Sequence, residues 1–76
     1  MRADTFRTLR RRLRSHDRRF ETSTRGKGSH RTIHHPDVNG RPASFTVPCH
    51  DEGSEVKRPY LVGIRRRFAL PDDFFD

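Results

Sequence analysis

Apolar residues are sparse along this chain, but their spacing names the elements. Phe6, Leu9 and Leu13 recur at i, i+3 and i+7, the stripe of an amphipathic helix. Asp4 stands where it can cap a helix that starts with Thr5 and Phe6, and Ser15-His16-Asp17 ends it. From Phe20 to Arg25 the hydroxyl-rich run Thr22-Ser23-Thr24 suits a strand, and Gly26-Lys27-Gly28 breaks it. A second strand from His30 to His35 sends Ile33 inward, with Arg31 and His35 on that face. His30, Thr32 and His34 then share the solvent side.

Pro36 to Pro42, with Asn39-Gly40 inside, reads as a hairpin loop. Ala43, Phe45 and Val47 alternate with Ser44 and Thr46 in a third strand. An acidic loop, Asp51 to Ser54, leads to a helix with Pro59 in its first turn and an inward stripe of Leu61, Ile64 and Phe68. Pro71 stops it, and Asp72 starts a last turn carrying Phe74 and Phe75. The expected fold class is α+β: a small single domain over 1–76, α-β-β-β-α, with a short C-terminal appendix at 70–76. A three-stranded antiparallel sheet carries both helices on one face. The expected core is Phe6, Leu9, Leu13, Phe20, Ile33, Phe45, Val47, Tyr60, Leu61, Ile64 and Phe68, with Leu70 and the two phenylalanines at its margin.

At 76 residues there is room for one core, which excludes a two-lobed cleft, a dinucleotide-binding fold or a barrel. Such a core supplies only about 3–5 kcal/mol without staples, so stabilisation by a partner is expected. No apolar run is long enough to span a bilayer, and the basic N-terminus lacks the apolar stretch of a secretory signal. The lone Cys49 makes no intrachain disulfide, which fits a cytoplasmic protein.

The charge is polarised. The formal net charge is +7, with residues 1–41 at +8 and the remainder at −1. Of 17 cations 15 are arginine, the side chain suited to bidentate phosphate contact. A small basic domain of this kind meets nucleic acid or an acidic protein.

Gly26-Lys27-Gly28-Ser29-His30 is the segment most suggestive of chemistry. Glycines admit a close phosphate, and Lys27, Arg25 and Arg31 surround it with charge. His30 has the side-chain type whose ordinary pKa suits proton transfer near neutrality. These are parts for metal-free RNA cleavage, in which an imidazole takes the 2′-OH proton and cations stabilise the phosphorane. The plain alternative is a simple turn followed by a surface histidine. A zinc site from His30, His34, Cys49 and His50 is disfavoured, because i and i+4 on a strand lie about 13 Å apart. Arg65-Arg66-Arg67 fits either a solvated helix face or an RNA-backbone track.

Gly28-Ser29-His30, then Ile33-His34-His35-Pro36-Asp37, Phe45-Thr46-Val47-Pro48, and Lys57 with Leu61 and Ile64 occur in an order that resembles the HicA family of bacterial toxins. The likeness runs from about Thr5 to Phe75. It implies a double-stranded-RNA-binding-domain-like fold and an mRNA interferase, a metal-independent endoribonuclease of a type II toxin–antitoxin system. It also implies a complex with a HicB-type antitoxin. By that resemblance the catalytic histidine falls on His30 and its neighbouring glycine on Gly28. The surrounding residues add to this an RNA-phosphate site shaped by Gly28 and Ser29, with Lys27, Arg31 and Arg25 supplying charge. Neither cofactor nor metal is expected. Lys27, His34 and water are open as the acid for the leaving oxygen. Many family members have a second histidine where this chain has Arg31. A non-catalytic RNA-binding module of similar fold is the alternative, and an acid-binding interaction protein a third.

Overall fold

The computed structural model describes residues 4–25 and 28–76. The chain runs β1 (Asp4–Thr5), α1 (Phe6–His16), β2 (Glu21–Arg25), β3 (His30–Val38), β4 (Arg41–Pro48), β5 (Glu55–Val56) and α2 (Arg58–Arg67). The expected helix, three strands, helix order is present. β2, β3 and β4 form an antiparallel sheet in that order, and β1 pairs antiparallel with β5 in a separate two-stranded ribbon. That ribbon was not expected, and it moves the helix cap. Asp4 is held extended opposite Val56, so the chain turns into α1 one residue later. Thr5 is the cap, its hydroxyl accepting from the Thr8 amide at 3.3 Å. Two amides that the first helical turn leaves unpaired, those of Phe6 and Arg7, donate to the carbonyls of Ser54 and Glu52 at 2.9 and 3.0 Å.

The hairpin between β3 and β4 is tighter than the expected Pro36–Pro42 loop. Both strands continue to Val38 and Arg41, and only Asn39 and Gly40 turn, both at positive φ (53° and 88°). Pro36 is accommodated in an irregularity between His35 and Val38, where an amide is not needed for the ladder. Helix α2 also ends before the expected stop. Ala69 adopts φ 53°, and the Leu70 amide returns to the Arg65 carbonyl at 2.9 Å, so the chain leaves the helix ahead of Pro71.

Ile33 and Val47 from the sheet meet Phe6, Leu9 and Leu13 of α1 and Leu61 and Ile64 of α2, all essentially inaccessible to solvent. Phe75 belongs at the centre of this cluster, fully buried, and is not marginal. Val56 and Cys49 are core residues too, while Phe45 and Tyr60 are only half-buried against it. Thr32 corrects another expectation. Central in the sheet, its hydroxyl pairs with that of Thr46 at 3.0 Å and it is buried, although it lies on the face away from the helices. Among the described residues no helix is long and apolar enough to cross a membrane.

Candidate functional site

Gly28 sits at φ +86°, a left-handed conformation that glycine adopts without strain, and it delivers the chain into β3. The Cys49 amide then donates to the Ser29 carbonyl at 2.9 Å, fixing the residue before His30. His30 opens β3 with its side chain exposed. Its backbone partners are Arg25 on β2 and Pro48 on β4. Nδ1 lies 3.1 Å from the Ser29 hydroxyl, and Nε2 meets no described residue. With Nδ1–H donating to that oxygen, Nε2 presents its lone pair to solvent.

Beyond the row of His30 and Pro48, the open face of the sheet is polar. In successive cross-strand rows it carries Glu21, His34 and Ser44, then Ser23, Thr32 and Thr46. His34 repeats the arrangement at His30, with Nδ1 3.0 Å from the Ser44 hydroxyl. Four residues of extended chain put it about 13 Å from His30. Anchored to Ser44, it stays out of reach of a phosphate held at His30.

Arg31 stands on the face opposite His30. Alternation turns it to the helix side, where its guanidinium bonds Glu52 Oε1 at 3.2 Å and lies 5.5 Å from the centre of the Phe6 ring. Arg10 of α1 shares the same carboxylate oxygen. Arg31 is therefore a strut between sheet, loop and α1. Gly26 and Lys27 lie outside the described residues, and of Arg25 only the backbone place beside His30 is described.

The other sequence candidates separate cleanly. Cys49 is buried, its thiol donates to the Asp51 carbonyl at 3.0 Å, and burial pushes its pKa up, the reverse of an activated nucleophile. Arg65 pairs with Asp72 at 2.9 Å, leaving Arg66 and Arg67 exposed. No group of three or more metal-ligating side chains occurs among the described residues. Along α1, Arg7, Arg11 and Arg14 form one exposed stripe, and Arg18, past the end of the helix, is exposed too.

A shallow pocket of about 240 Å³ opens beside the His30 row, lined by Pro48, Glu55, Lys57 and Tyr60. Sequence reasoning missed it. Tyr60 reads as core, and nothing short of the strand register reveals that Pro48 stands opposite His30. No family model matches the chain, and no curated protein or solved structure matches it either.

Proposed function

We propose that this chain is a metal-independent endoribonuclease, the mRNA-cleaving toxin of a toxin–antitoxin pair, acting in the cytoplasm and silenced by a HicB-type antitoxin. The observation that supports it is the exposed imidazole of His30, tethered through Nδ1 to Ser29 with Nε2 open to solvent. In the proposed reaction Nε2 takes the 2′-OH proton, the freed oxygen bonds to the adjacent phosphorus, and the bond from phosphorus to the 5′-oxygen breaks. Lys27 or water protonates the leaving oxygen, since His34 stands about 13 Å away along the strand. Gly28 lets the backbone approach the phosphate. Of the charges expected around it, Lys27 and Arg25 are the two that remain, because Arg31 is engaged with Glu52.

That engagement is also what favours the second reading, a basic module that binds RNA without cutting it. One experiment separates the two. Purified wild type should cleave a single-stranded RNA in the presence of a metal chelator, and His30→Ala should lose about 10²–10⁴-fold in rate. The variant should still bind the RNA, while His16→Ala and His50→Ala stay active. A folded His30→Ala protein that cuts at the wild-type rate would overturn the assignment.

A further inference from the structure

Opposed residues of an antiparallel pair stand on the same face, so Pro48 and His30 are neighbours above the sheet. Pro48 is also one wall of the pocket completed by Glu55, Lys57 and Tyr60. We propose that this pocket receives the base of a nucleotide flanking the scissile phosphate and selects guanine, an inference that rests on the RNA-cleaving reading for its substrate.

Size argues for a single planar group. About 240 Å³ is below the ~300–1,000 Å³ of clefts that take drug-sized ligands. The walls suit a base. Tyr60, in the first turn of α2, is half-buried against the core, which holds its ring as a stacking surface, and Pro48 supplies a second apolar wall. Sequence-specific RNA recognition works this way, with an unstacked base laid on an aromatic side chain and its Watson–Crick edge read by hydrogen bonds.

The polar walls choose which base. Glu55 is exposed, its backbone held by pairing with Thr5. Neither its carboxylate nor the Lys57 ammonium has a hydrogen bond or ion pair to another described residue. An ionised carboxylate only accepts, and it accepts best from two parallel donors. Guanine alone among the four bases presents two adjacent donors, N1–H and the N2 amine, on its Watson–Crick edge. Adenine, cytosine and uracil each set an acceptor beside their donor, facing the second carboxylate oxygen. Guanine's next atom, O6, is an acceptor and matches an ammonium. Lys57 thus completes the edge for guanine, and it repels a partner's guanidinium, the competing occupant for an acid beside an aromatic ring.

The test needs no turnover. The full chain, isotopically labelled, is titrated with GMP, AMP, CMP and UMP and followed by NMR. GMP should bind roughly tenfold more tightly than AMP, with the largest shifts at Glu55, Lys57 and Tyr60. Glu55→Gln should bring the ratio of the two affinities close to one, while Tyr60→Phe, which keeps the stacking ring, should preserve both. Equal affinity for the four nucleotides, an unchanged ratio in Glu55→Gln, shifts confined to other residues, or tighter binding of an arginine amide would each overturn the proposal. The two readings fail separately. Guanine selectivity through Glu55 with cleavage that survives His30→Ala keeps the pocket and removes the catalytic assignment. Cleavage lost with His30 but without any guanine preference removes the pocket alone.

Discussion

His35 donates its Nε2 proton to Asp17 Oδ2 at 2.8 Å, while its Nδ1 accepts the Asp37 amide at 3.0 Å. Both ring nitrogens are used, the ring packs edge-on against Phe20 at 4.6 Å, and the residue is buried. Two histidines on one strand therefore have opposite duties: His35 ties the end of α1 to the sheet, whereas His30 faces solvent. His35→Ala should cost about 2–4 kcal/mol, combining a lost buried ring with two lost hydrogen bonds. His30→Ala should stay within about 0.5 kcal/mol of wild type. Urea denaturation of the two variants checks the contrast.

Asp17 adds a pH dependence. The Arg19 side chain and then its amide, with His35 after them, hold the Asp17 carboxyl well below the usual carboxylate range. Its folded-state pKa is lower than its unfolded one, near 3.9, so its contribution is complete above that value. It is lost as pH falls from there toward the folded pKa. The stability gap between wild type and Asp17→Asn should accordingly be widest at pH 6–7 and narrow by pH 2–3. A gap independent of pH would show that the lowered pKa does not reach global stability.

Gly63 of α2 faces the Phe45 ring so closely that a Cβ there would lie 2.6 Å from Cζ and 2.8 Å from Cε2. The absent side chain sets how near α2 lies to β4. Gly63→Ala should destabilise by about 1–3 kcal/mol despite alanine's better helix propensity, because overpacking outweighs a gain of roughly 1 kcal/mol. Gly63→Ala combined with Phe45→Leu should recover part of that loss, measured by thermal melting.

At the other end of the same helix, Ala69 occupies a left-handed conformation that suits glycine. Ala69→Gly should relieve this strain and raise stability by up to about 1 kcal/mol, net of the extra freedom it gives the unfolded chain. A melting temperature below wild type would contradict the assignment.

Salt should sort the arginines of α1. Arg7 and Arg11 are exposed, whereas Arg10 is committed to Glu52. Replacing Arg7 and Arg11 with glutamine should shallow the salt dependence of RNA affinity by about 0.7 in log–log slope for each phosphate contact removed. Arg10→Gln should leave that slope unchanged and lower stability. A double variant with an unaltered slope would place the RNA elsewhere.

Periodicity made much of this fold legible. The helical stripes of Phe6-Leu9-Leu13 and Leu61-Ile64-Phe68 bury the residues they mark, and alternation along β3 places His30 and Ile33 on opposite faces. What escaped the sequence depends on partners distant along the chain. A two-residue strand such as Glu55–Val56 has no period to detect. Val56 belongs to the buried core, and its backbone pairs with that of Asp4. Alternation itself implied that Arg31 points inward, yet its Glu52 partner was invisible until the loop folded back over α1. The pocket beside His30 likewise exists only once strand register and the start of α2 are fixed together.

The β1–β5 ribbon gives the two parts of the proposed site different loop-closure costs. The sheet that carries His30 joins neighbours through a short connection and a two-residue turn, so its loop-closure entropy is small. The ribbon instead joins Asp4 to Val56, a longer and costlier closure than either pairing within the sheet. The imidazole is thus held by pairing local in sequence. Glu55 depends instead on the longer-range pairing of β5 with β1.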